Sequence, residues 1–153
     1  MGLNHRASTN AAVDLPDLLV AARHERIEEQ FDVNLLGPIL CARAVLPVIL
    51  EQKAGVIVNV SSVAAERPFR GQAVYAATKG GLEFTRALAA EYGRKGIRAY
   101  CIRPGPIETR MLEPAGRSAG RDADPNSPSS PRPPQRGCRA GSVHTIDGGY
   151  LQG

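Results

Sequence analysis

Apolar positions along this chain change their spacing several times, and each change marks an element. Between about 24 and 52 they recur at helical intervals, first among charges (Glu25, Arg26, Glu28, Glu29) and then as a stretch, 33–50, in which only Arg43 is charged. A β-branched run follows, Val56-Ile57-Val58-Asn59-Val60, closed by Ser61-Ser62. It predicts a strand near 55–61 that is buried on both faces, as in a parallel sheet. Helical spacing returns over 72–93, Ile97–Ile102 reads as a second strand, and a last one is expected over 143–147. Residues 1–8 do not read as an apolar strand. Strands alternating with helices predict an α/β fold with a parallel sheet and right-handed crossovers.

Two segments depart from this alternation. The 33–50 stretch is long enough to span a membrane, but Asn34, Gly37, Pro38, Arg43 and Pro47 interrupt it. A helix apolar around its circumference instead fits packing on a sheet on one side and on a partner on the other. Residues 113–140 hold six of the twelve prolines and no aromatic or branched aliphatic residue. Such a segment cannot bury enough apolar surface to offset chain entropy, so it is expected to be a disordered linker.

Composition narrows the class further. A net charge of +4, partly carried by the arginines of the linker, points to no dedicated polyanion partner, so nucleic acid is not expected. Cys41, Cys101 and Cys138 have no metal-ligand spacing among themselves or with His5, His24 and His144, so no metal site is expected. Unpatterned cysteines and an amino terminus without a signal-peptide pattern predict a reduced, cytoplasmic setting.

Candidate chemistry gathers in the middle of the chain. Tyr75 and Lys79 are four residues apart in a predicted helix, so phenol and ammonium share one face. A cation that close favours the phenolate, which would bring a tyrosine toward general acid/base work near neutral pH. Ser62 follows a parallel strand at its carboxyl end, where α/β sheets bind ligands, and its hydroxyl suits a carbonyl oxygen on which charge develops.

Ser62 precedes Tyr75 by thirteen residues (75 − 62), and with Tyr-x-x-x-Lys this resembles the signature of the short-chain dehydrogenase/reductase family. The resemblance extends to Asn34 in Asp32-Val33-Asn34-Leu35, to Pro104-Gly105 with Thr109 after the next strand, and to Ile146-Asp147-Gly148-Gly149-Tyr150 at the end. Thr9-Asn10-Ala11-Ala12 is similar to the family's Asn-Asn-Ala-Gly, with Asn10 on its second asparagine. The family's Thr-Gly-x-x-x-Gly-x-Gly does not occur in these residues.

The resemblance implies a partial Rossmann-like, doubly wound parallel sheet containing only the later strands and helices. Residues 1–112 would be a partial catalytic domain, 113–140 the linker in place of a substrate lid, and 141–153 the closing strand and tail. It implies an NAD- or NADP-dependent oxidoreductase, ketoacyl-reductase-like, interconverting an alcohol and a carbonyl on a small molecule. Ser62 would hold the carbonyl oxygen, Tyr75 move the proton, Lys79 lower the tyrosine's pKa and hold the nicotinamide ribose, and Asn34 position a relay water. Asn10, Pro104, Gly105 and Thr109 would complete the cofactor contacts. It also implies a homo-oligomer through helices 33–50 and 72–93. Without the phosphate turn these residues alone are expected to be inactive. The alternatives are a non-catalytic dimerisation fragment or an incomplete gene product. Hydrolysis by Ser62 and Lys79 ranks below these, because no nucleophile elbow surrounds Ser62.

Overall fold

The computed structural model describes residues 5–105 and the backbone of 143–146. Thr109, the 113–140 segment and the closing Asp147–Tyr150 lie outside the described residues. Four parallel strands form one sheet in the order β1 (His5–Thr9), β2 (Gly55–Val60), β3 (Ile97–Pro104) and β4 (Val143–Ile146). Spatial order equals chain order, so each crossover leads to the adjacent strand. The fold is Rossmann-like, as the alternating pattern predicts.

β1 is the main departure from the sequence reading, which expected no strand before residue 9. His5–Thr9 pairs in parallel with Gly55–Asn59. Its pattern is a polar period of two, with Arg6 and Ser8 exposed and His5, Ala7 and Thr9 half-buried. The ladder and the Thr9 Oγ1 donation to Asn59 Oδ1, 2.7 Å, supply what apolar burial does not.

The first crossover is one continuous helical run from His24 to Glu51, made of α1 (His24–Phe31), a π turn (Asp32–Leu36) and α2 (Gly37–Glu51). It is long and apolar enough to cross a membrane by length and composition. Here it serves as a layer on the sheet: Ala42, Leu46 and Ile49 pack with Ile57, Ile97, Ala99 and Leu88 to form the core. Phe31, Leu36, Ile39, Leu40 and Val48 remain exposed.

The second crossover, expected as one helix over 72–93, is two: α3 (Ala73–Gly81) and α4 (Phe84–Tyr92). Tight three-residue bonds such as Glu83 N to Gly80 O, 3.1 Å, replace the α-helical ladder at the joint. Gly81 permits a close approach there, since a Cβ would lie 2.8 Å from both Leu35 δ-carbons. β2 alternates buried and half-buried residues, as does β3 apart from exposed Arg98, so the face with Val56, Val58 and Val60 is less covered than its β-branched run predicts.

Candidate active site

Parallel pairing brings the carboxyl ends of the strands to one edge. Thr9 lies opposite Asn59, Val60 opposite Ile102 and Pro104 opposite Ile146. Asn10, Ser61-Ser62 and Gly105 therefore leave the sheet at the same edge, where a ligand crevice is expected. Ser61 prolongs the ladder through its N–H to Ile102 O, 2.7 Å, and its Oγ donates to Lys79 O, 2.8 Å. Ser62 then caps the single turn Val63–Ala65, its Oγ accepting from Ala64 N at 3.1 Å.

Tyr75 and Lys79 stand on consecutive turns of α3, both buried. Burial raises the Tyr75 phenol above its ordinary 10.0; the nearby Asp14 carboxylate adds to this and hydrogen bonding to Ser62 opposes it. Burial also lowers the Lys79 ammonium to about 8, with Cys101 acting against the change. Lys79 Nζ lies 5.9 Å from the Tyr75 ring centre and donates to Val60 O at 2.9 Å. The expected depression of the tyrosine by Lys79 is therefore not the effect present. Tyr75 is held protonated at neutral pH. Nor is Lys79 Nζ hydrogen-bonded to Ser62 Oγ, which removes the support for a Ser–Lys hydrolytic pair.

Asn34 is 0% exposed and sits in the π turn, where Gly37 N reaches Asp32 O. Its Oδ1 accepts from Val13 N at 2.8 Å, and its Nδ2 donates to Val13 O at 2.8 Å and to Thr78 Oγ1 at 3.1 Å. Thr78 Oγ1 in turn donates to Tyr75 O, 2.8 Å. The side chain of Asn34 thus ties the segment after β1 to the helix that carries Tyr75. Both amide protons of its Nδ2 are committed, so a water held by Asn34 would have to use its backbone or the free lone pair of Oδ1. A π turn shifts one helical carbonyl out of register, a feature frequent at functional sites that no sequence pattern announced.

Three neighbours escaped the sequence reading. Gln72 Nε2 donates to Asp14 Oδ2 at 2.7 Å, while its Oε1 accepts from Phe69 N at 3.0 Å. Asp14 thereby reaches the start of α3, one turn before Tyr75. Thr78 is the third, a hydroxyl buried one turn after Tyr75 and bonded to Asn34 Nδ2 and Tyr75 O. Gln72 precedes α3 without a side-chain cap bond, and nothing in the sequence marks it or Asp14.

A nicotinamide nucleotide can be tested against this edge. Lys79 is buried, is paired with no carboxylate among the described residues, and uses one of its three N–H donors on Val60 O. Two donors remain for ribose hydroxyls. The residues fit the ribose and nicotinamide portion; a glycine-rich turn for the pyrophosphate is not among these 153 residues.

Known proteins resemble this chain in sequence and in fold. A family model described as short chain dehydrogenase matches residues 8–119. The 3-oxoacyl-[acyl-carrier-protein] reductase of Bos taurus is 44% identical over 104 residues, which cover 67% of this chain and 44% of that protein. The 2-(R)-hydroxypropyl-CoM dehydrogenase of Xanthobacter autotrophicus is 45% identical over 95 residues, 59% of this chain and 38% of that protein. A solved structure of ElxO with NADP bound superposes with a TM-score of 0.79 at 26% identity, over 97% of this chain and 68% of that one. The chain spans less than half the length of these two curated relatives.

Proposed function

This chain belongs to the short chain dehydrogenase family, and from that premise we propose that it carries the proton-transfer half of an NAD- or NADP-dependent oxidoreductase site interconverting an alcohol and a carbonyl. What supports the proposal is that Tyr75 lies in hydrogen-bonding range of Ser62 and 5.9 Å from Lys79 Nζ, which itself donates to Val60 O at the end of β2. The likeness to 3-oxoacyl reductases favours a ketoacyl-type substrate.

In the reducing direction, Lys79 and Tyr75 would hold the nicotinamide ribose, and the bound nucleotide would supply the hydride for the carbonyl carbon. Ser62 Oγ donates a hydrogen bond to the carbonyl oxygen as charge develops there. Tyr75, kept protonated by burial, gives its phenolic proton to that oxygen. Lys79, 5.9 Å from the ring centre and with a pKa of about 8, can return a proton to the phenolate that results. Asn34 holds the helix bearing Tyr75 in register with Val13. Asn10, Pro104, Gly105 and Thr109 would border the cofactor with Tyr75 and Lys79. Because these residues include no phosphate turn, turnover by the 153-residue chain alone is proposed to be absent or very slow.

A second reading has its own support. Leu36, Ile39, Leu40 and Val48 stay exposed along the first crossover, which favours association with another copy or a relative through helices 33–50 and 72–93. A titration of NADH and NADPH with the purified chain, followed by cofactor fluorescence that no tryptophan obscures, separates the two. Saturable binding weakened by Lys79→Met supports the enzyme reading. No binding up to millimolar cofactor leaves the association reading.

A further inference from the structure

Arg103 is the last residue but one of β3, directly before Pro104, and its side chain is 11% exposed. Its Nη1 pairs with Glu66 Oε1 and its Nη2 with Glu83 Oε1. Glu83 is shared further, its Oε2 taking Arg86 Nε at 2.7 Å. Nε of the Arg103 guanidinium is buried without a hydrogen-bond partner, so the contacts of Nη1 and Nη2 with the two carboxylates direct the group.

Where those carboxylates sit gives the cluster its meaning. Glu66 is four positions after Ser62 (66 − 62) and closes the single turn that Ser62 opens. Glu83 is four positions after Lys79 (83 − 79), at the joint between α3 and α4. One guanidinium therefore spans the serine turn, the end of the tyrosine helix and the end of β3. Ser61 already fixes the base of the turn to β3 and to Lys79 O, but the Ser62 hydroxyl is aimed by Ala64 N, farther along. That part of the turn is anchored by Glu66. Without the guanidinium, two carboxylates would face each other across the gap and drive the turn away from the helix.

From this geometry we infer that Arg103 is a positioning residue, a clamp that sets the Ser62 hydroxyl against the Tyr75 phenol by tying Glu66 to Glu83. The inference rests on the proposed pairing of Ser62 with Tyr75. It needs the planar fork of arginine: a lysine at 103 keeps the charge but cannot grip both carboxylates with the same geometry.

The test uses the full chain with labelled tyrosine, reading the NMR signal of Tyr75 Cζ at neutral pH, assigned with Tyr75→Phe among the four tyrosines. Ser62→Ala is expected to move this signal by removing the hydrogen bond. Arg103→Lys is expected to move it in the same direction, and the double variant no farther than Ser62→Ala alone. A folded Arg103→Lys protein with an unmoved Tyr75 signal, or full additivity in the double variant, would overturn the clamp. If Arg103→Lys does not fold, Glu66→Gln decides: half-exposed Glu66 can be neutralised with the fold kept, and the same shift is expected, with an unmoved signal overturning the clamp. A Tyr75 signal indifferent to Ser62→Ala itself identifies failure of the underlying pairing, and the clamp falls with it. Where turnover is measurable, Arg103→Lys should lower kcat on the order of 10-fold in the parent and leave it unchanged in the Ser62→Ala background. An equal loss in both backgrounds would mark Arg103 as merely structural.

Discussion

Replacing Lys79 by methionine should make the protein more stable at neutral pH, and the gain should fade as pH rises. The residue is 3% exposed, and burial holds its pKa at about 8 against an ordinary 10.5. At about 1.4 kcal/mol per pH unit, keeping the ammonium in the fold at neutral pH costs about 3 kcal/mol. Methionine removes that cost but forfeits the donation to Val60 O, worth about 1.5–3 kcal/mol, so the net gain at pH 7 is about 0–2 kcal/mol. The pH dependence is the sharper consequence. Below pH 8 the lysine is protonated in both states; between 8 and 10.5 the unfolded chain holds the proton that the folded chain has released. Stability of the parent therefore rises through that window, and the methionine variant lacks the rise. From pH 7 to pH 9.5 the parent should gain about 2 kcal/mol on the variant, roughly 4–8 °C in Tm for a chain of this size. Thermal unfolding of both proteins at the two pH values measures it. A difference that stays constant from pH 7 to 9.5 would refute a desolvated ammonium at this position.

Other consequences are equally open to measurement. Asn34→Leu leaves Val13 N and Val13 O without their partner and takes one of two bonds from Thr78 Oγ1, so it should destabilise by about 2–4 kcal/mol and accelerate hydrogen exchange at the Val13 amide; unchanged exchange would contradict the tie. Gly96→Ala places a Cβ at φ +85° against the Lys53 carbonyl and should cost at least about 2 kcal/mol in urea unfolding, whereas Gly93→Ala, with open space around it, should cost less than about 1 kcal/mol. Carbonyl reduction, in any preparation that turns over, should fall as pH rises past about 8, because Lys79 then loses the proton it returns to Tyr75; a rate flat to pH 9.5 would remove Lys79 from the proton path.

The parts of the fold legible in the sequence were those that burial dictates. Ile57 and Ala99 lie in the core, and the strands that carry them stand within a residue or two of where their β-branched runs place them. β1 was not legible, because His5–Thr9 is held by ladder bonds and by Asn59 rather than by apolar side chains. The break between α3 and α4 was hidden too: Gly80-Gly81 sits inside a continuous helical period, and only the approach of Leu35 explains why the chain turns there. At the site, Tyr75 and Lys79 were legible as an i, i+4 pair on a predicted helix and Ser62 as a strand-end hydroxyl, while the thirteen residues between Ser62 and Tyr75 were legible only through their resemblance to the family's signature. The sign of the tyrosine's shift was not, since it depends on burial and on Asp14, sixty-one residues away (75 − 14) and brought there by Gln72. Arg103 was unmarked for the same reason, its partners lying on two other segments.

The central claim is that Tyr75 is the proton donor of a carbonyl-reducing site. Its most direct measurement is cofactor oxidation with NADPH and NADH on a 3-oxoacyl thioester, comparing the parent with Tyr75→Phe after both are shown to be folded and to bind cofactor alike. The account predicts that whatever turnover the parent has falls by at least about 100-fold in the phenylalanine variant. Equal turnover in the two proteins would contradict it.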